Sequence, residues 1–151
     1  MTYVLKDEEV KFLRELVSSD TPFMLVGTVA AAAQGSNAVT DDIDLWFRRT
    51  SDPGLDQAAR KVGGIFAWRA DPPVLCGENL ASFDIVTKMS GLGSFDEEYE
   101  NALDFPIDDF VIKVLPLDRI ITSKTAADRN KDRAALPSLR ATLAANKLKI
   151  D

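Results

Sequence analysis

Apolar residues along this chain switch between helical spacing and unbroken runs or alternation, and the switches mark out its elements. Val10, Leu13 and Val17 recur at helical spacing behind Asp7-Glu8-Glu9. That predicts a helix over 7–18 with its acids at the N-terminal end of the helix dipole. Ser19-Asp20-Thr21-Pro22 breaks the pattern, and the run Phe23-Met24-Leu25-Val26 predicts a strand. Small residues then predict a short helix over 28–34, ended by Gly35. A second strand is expected over 43–47, and a helix over 55–62 behind the cap-rich Thr50-Ser51-Asp52-Pro53-Gly54. Gly63-Gly64 turns into a strand over 65–68, which Asp71-Pro72-Pro73 ends. A strand over 82–87, a flexible loop over 90–94, a helix over 95–103 and a strand over 110–115 follow. Pro116 opens a helix running past Lys124, at a position where proline is tolerated. A last helix covers 130–147, with Pro137 as an expected break or kink. Strands alternating with helices favour an α/β or α+β fold with helices packed on a sheet.

Composition adds exclusions. The chain has 151 residues, 46% apolar and 28% charged, which fits one soluble domain with room for a core. We read residues 1–151 as a single domain, with a core over about 20–115 and a C-terminal helical segment over about 116–151. No apolar stretch is long enough to span a bilayer, and the first residues lack the features of a signal peptide. One cysteine, Cys76, cannot form an internal disulfide, which fits a cytoplasmic location. The absence of histidine removes His-based triads, His–zinc sites and histidine general bases together. Catalysis would run on carboxylates, lysine, hydroxyls or bound metal.

The net charge of −6 argues against bulk attraction to nucleic acid. From Lys113 onward, nine Lys/Arg stand against four Asp, a net +5, so the preceding residues carry −11. A basic C-terminal segment facing phosphates and an acidic body facing metal or a cationic acceptor is one reading; ordinary solvated surface is the other.

The chemistry concentrates between the first two strands. Gly27-Thr28 lies at a strand-to-helix turn, the kind of place where backbone N–H groups cradle phosphate. Fifteen residues later comes Asp42-Ile43-Asp44. Strand periodicity puts Asp42 and Asp44 on one face and Ile43 on the other. Asp84 is a third carboxylate inside an apolar strand, costly there unless it has a partner or an edge. If the two strands are neighbours, three hard oxygen donors converge, which suits Mg²⁺ (or Mn²⁺) and substrate phosphates. Taken alone, Asp42 and Asp44 also fit exposed residues at a strand entry, Thr28 a helix cap, and Lys124 a solvent-facing lysine. Trp46, Phe47, Phe66 and Trp68 read as core rather than a base-stacking platform.

Gly27-Thr28-Val29-Ala30, Gly35 and Thr40-Asp41-Asp42-Ile43-Asp44-Leu45 resemble the signature of the DNA-polymerase-β-type nucleotidyltransferase superfamily, in its minimal branch. Leu115 to Ile121, Lys124 and Arg129-Asn130-Lys131-Asp132 are similar to the C-terminal segment of toxin-like and abortive-infection-type members. The resemblance implies a nucleotidyltransferase fold: a mixed sheet, flanking helices and a C-terminal helical segment. It implies that Gly27 and Thr28 hold the triphosphate, and that Asp42 and Asp44 bind the metals. Asp84 would ligate the second metal and help deprotonate the acceptor, while Lys124, with Arg129 or Lys131, would neutralise phosphate charge. Three departures stand out. Thr28 replaces the usual second Gly or Ser, Ala38 stands where an arginine is common, and Asp41 adds a negative charge.

The implied activity is metal-dependent transfer of a nucleoside monophosphate from a nucleoside triphosphate such as ATP to an acceptor hydroxyl on a protein, a tRNA or a small molecule. The alternatives are a nucleotide sensor or toxin–antitoxin component on the same fold, and an unrelated α/β binding module. No membrane partner is expected. A half-open site leaves room for a second copy or a partner protein to complete the acceptor pocket.

Overall fold

A computed structural model describes residues 4–148. Helix α1 (Asp7–Ser18) turns Phe12, Leu13 and Leu16 fully inward. Glu9 closes its N-terminus by accepting the Lys6 N–H at 2.8 Å. Strand β1 (Phe23–Val26) is buried at every position, as its unbroken apolar run requires of a central strand. Helix α2 (Gly27–Ala33) follows without a loop, and β2 (Ile43–Phe47) returns antiparallel to β1. Asp52 caps α3 (Pro53–Lys61) by accepting the Gly54 N–H at 2.9 Å. Strands β3 (Ile65–Ala67) and β4 (Val74–Cys76) form a separate two-stranded sheet. A single 3-10 turn (Glu78–Leu80) leads into β5 (Phe83–Val86).

Helix α4 (Phe95–Glu100), β6 (Leu103–Ile107), β7 (Phe110–Val114), α5 (Leu117–Ala127) and α6 (Asn130–Leu148) complete the chain. The main sheet has five strands in the order β5-β2-β1-β7-β6. Its pairing is mixed: β1 runs parallel to β7 and β2 parallel to β5, while β1–β2 and β6–β7 are antiparallel.

Four sequence expectations need correction. The helix expected over 95–103 stops at Glu100, and Leu103 opens a strand instead. Leu103, Phe105 and Ile107 carry the period-two signal, and Pro106 is tolerated because β6 lies at the sheet edge. The second missed strand, β4, sits where prolines and Cys76 read as loop. Pro137 does not end α6, which continues through it with Leu136 and Leu139 buried on either side. Trp68 is not core but 61% exposed, although Trp46, Phe47 and Phe66 are buried as expected.

The C-terminal helices are fastened to the turn that follows β1. Gln34, at the end of α2, donates to Leu115 O at 3.0 Å and accepts the Leu117 N–H at 2.7 Å. Asn146 of α6 donates to Gln34 O at 2.7 Å. One amide side chain therefore sets where α5 begins relative to Gly27, and α6 is tied to the same point.

Candidate active site

Parallel pairing of β2 and β5 places Asp44 directly opposite Asp84, with Ile43 opposite Phe83. The two strands are neighbours, which sets the two in-register carboxylates side by side. Asp42 lies just ahead of β2 on the exposed approach, its N–H bonded to Thr40 Oγ1 at 3.1 Å. Asp84 is exposed because β5 is an edge strand, which answers the cost of a carboxylate in an apolar run.

Asp44 carries the electrostatic strain of the group. Burial is the largest effect raising its pKa; repulsion from Asp84 and then Asp42 adds to it, and Lys124 and Lys131 pull the other way. The balance holds its carboxyl at about 6, against 3.8 for an ordinary aspartate. The Asp84 carboxyl is also raised, first by partial desolvation against the sheet and then by Asp42. The three carboxylates do not stand as a closed cluster. Among the described residues, no group of three or more acidic or cysteine side chains is arranged to hold a metal ion. Like charges repel, and Asp42 and Asp84 are both exposed to solvent.

Gly27 has a structural reason to be glycine. Its φ is +72°, and a Cβ there would collide with Asp44 Oδ2. The glycine therefore makes room for the carboxylate whether or not a phosphate also approaches. Thr28 is half-buried in the first turn of α2.

A cavity of about 450 Å³ opens beside Gly27 and Asp44. Thr28, Asp42 and Asp84 do not line it. Part of its lining comes from around the α5–α6 turn, where Asp128 adopts a left-handed conformation (φ 51°) that ends α5 and redirects the chain. Lys124, Arg129, Lys131 and Asp132 reach the cavity from there, and Lys88 and Ser90 from the loop after β5. Asp132 has 0% exposure and binds Arg129 Nε at 2.7 Å, with Lys124 Nζ at 3.8 Å. Its carboxyl lies below the usual range because the Arg129 hydrogen bond outweighs desolvation.

The structure thus brings Gly27, Asp44 and Lys124 to one cavity, pairs Asp44 with Asp84, and leaves Asp42 and Thr28 outside the cavity wall. Sequence reasoning missed Lys88 and the burial of Asp132. Asp132 had a signal in the spacing Arg129-x-x-Asp132 at a helix start; Lys88 had none, since only the path of the loop aims it.

No known family profile matches this chain, and no curated protein sequence does. Solved structures do match. The lincosamide antibiotic adenylyltransferase LnuA, bound to lincomycin, superposes with a TM-score of 0.63 at 15% identity, over 92% of this chain and 98% of that one. The antibiotic-resistance factor ANT(2″)-Ia in solution gives 0.61 at 16% identity, over 95% and 86%. Its crystal structure with adenylyl-2″-tobramycin gives 0.59 at 18% identity, over 93% and 90%. The fold is that of these nucleotidyltransferases, across nearly the whole chain.

Proposed function

We propose that this protein is a metal-dependent nucleotidyltransferase that moves a nucleoside monophosphate from a nucleoside triphosphate to a hydroxyl of a small-molecule acceptor, releasing pyrophosphate. One observation carries the reading: Asp44 stands in register with Asp84, held at a raised pKa, in a cavity that Lys124, Arg129 and Lys131 also line. The fold, shared with enzymes of this class, supports it. The small-molecule acceptor is supported by the adenylyl-2″-tobramycin and lincomycin bound in the similar structures.

The chemistry of the donors suits a divalent ion, which would have to draw the three carboxylates together. Asp42, Asp44 and Asp84 offer hard carboxylate oxygens, and their mutual repulsion leaves the group short of positive charge. These three residues would hold Mg²⁺ or Mn²⁺, which when bound supplies charge neutralisation at the reacting phosphate and lowers the pKa of the attacking hydroxyl. Asp84, exposed toward solvent, would accept the proton of an incoming acceptor hydroxyl. That hydroxyl oxygen attacks the α-phosphorus, and the bond to the bridging oxygen of pyrophosphate breaks. Lys124 and Lys131, with Arg129 beside them, neutralise the leaving phosphates. The Gly27 backbone and Thr28, at the head of α2, hold the triphosphate near Asp44.

The test is transfer of label from a panel of α-labelled nucleoside triphosphates to hydroxyl-bearing antibiotics and to cell-extract small molecules, with Mg²⁺ or Mn²⁺. An Asp42→Ala/Asp44→Ala variant is run beside the wild type. Label transfer lost in the variant supports the reading. Triphosphate bound tightly but never transferred points to the nucleotide sensor, which neutral Ala38 favours. No metal-dependent triphosphate binding at all ends both.

A further inference from the structure

Asp132 has the least solvent exposure of any ionisable side chain among the described residues. It sits in the first turn of α6 and accepts three hydrogen bonds from Arg129: the backbone N–H at 3.1 Å, Nε at 2.7 Å and Nη2 at 3.2 Å. Lys124 Nζ approaches its other side at 3.8 Å. A helix cap accounts for the backbone bond alone, and serine or asparagine would cap as well without burying a charge. Burying a carboxylate is costly unless cations meet it, so the two cations are the feature to explain. Both line the cavity that Asp44 also lines, and Lys124 is near enough to lower the pKa of Asp44.

We propose that Asp132 is a positioning residue for the triphosphate: a single buried anion that holds Lys124 and Arg129 against the cavity wall, aimed at the phosphates. Resting on the nucleotidyltransferase reading above, it assigns a task to a side chain that touches no reacting atom. Two cations around one anion leave the wall net positive, and Lys131 adds a further charge. Without Asp132 the long Lys124 side chain would sample many rotamers, and ordering it would fall on the binding step. Arg129 is 59% exposed and would swing into solvent.

The experiment is a mutant cycle read by calorimetric titration with metal-free tripolyphosphate: wild type, Lys124→Met, Asp132→Asn and the double variant. Each single substitution is expected to weaken binding about tenfold. The double should fall well short of the roughly hundredfold product, because Asp132 acts partly through Lys124. Asp132→Glu, which restores the carboxylate, should recover most of the loss. In turnover, Asp132→Asn should raise KM for the triphosphate more than it lowers kcat. Where asparagine lowers the folded fraction, Asp132→Ser keeps a cap acceptor, adds no bulk and gives the same cycle. Wild-type binding by Asp132→Asn, or losses that multiply in full, overturns the proposal. A wild type that binds neither tripolyphosphate nor any nucleoside triphosphate overturns it together with the reading of the site. A wild type that binds and transfers while Asp132→Asn matches it overturns this inference alone.

Discussion

The two walls of the cavity handle charge in opposite ways. On the α5–α6 side, Asp132 has its cations, and its carboxyl is held below the ordinary range. On the β2–β5 side, Asp44 and Asp84 face each other with Asp42 nearby, and both strand carboxyls are pushed up. Each wall holds a partly or fully buried aspartate, but only one is satisfied within the protein. A satisfied buried charge builds structure; an unsatisfied one keeps its capacity for something that arrives from outside. On the proposed function, the strand side would carry the chemistry and the helix side would support it.

The comparison breaks most sharply at Asp44. Asp44→Asn should reduce transfer about a thousandfold or more by removing a central carboxylate. It should also raise the melting temperature of the metal-free protein by about 3 °C, because it removes a partly buried charge and, second, its repulsion with Asp84 and Asp42. Transfer assays and thermal melts in EDTA check the pair, and a variant both inactive and less stable would contradict the picture of an unsatisfied carboxylate. Gly27→Ala should come next. Strain at φ +72° and the clash with Asp44 together predict a loss of about 1–3 kcal/mol in urea unfolding, with reduced transfer.

The pH response sharpens the contrast. The Asp44 carboxyl titrates at about 6 in the folded protein against an ordinary 3.8, so between those values the folded state holds more protons than the unfolded. Its contribution to metal-free stability therefore falls as pH rises through that window. Asp132, with a lowered carboxyl, contributes the opposite slope, its stabilisation disappearing as pH falls through the folded value. The wild type minus Asp44→Asn difference, from denaturation curves between pH 4 and pH 7, isolates the first effect. Mg²⁺ should cancel most of it, and an unchanged difference at saturating Mg²⁺ would count against metal binding there. The smallest effect is expected outside the cavity. Arg60→Ala breaks an exposed i,i+4 pair with Asp56 and should leave the same curves unchanged within error.

Much of the fold is legible from local pattern. The bounds of α1, β1 and β2 follow from helical spacing and from short apolar runs closed by breakers. β6 was not legible: its alternating residues sit directly behind an acidic helix start, and only pairing with β7 makes them a strand. Trp68 shows the same limit from another side, since the expected strand over 65–68 stops at Ala67 and leaves the ring in the turn beyond it. In the site, Asp42, Asp44 and Asp84 could be picked out as carboxylates in strand context. That Asp42 stays at the rim and that Lys88 joins the cavity could not, because both depend on where loops run in space.

The order of residues alone determined the chemistry available: no histidine, a glycine turn, carboxylates two apart on a strand, and a basic C-terminal segment. Those are properties of residue type and spacing, which survive in any fold that keeps the strand extended. Tertiary structure decided which of them act together. Parallel pairing of β2 with β5 set Asp44 beside Asp84, and the left-handed turn at Asp128 joins the helices that bring Lys124, Arg129 and Lys131 to the cavity of Asp44. Charges interact through distance and burial, and residues forty or ninety positions apart along a chain acquire both only when it folds.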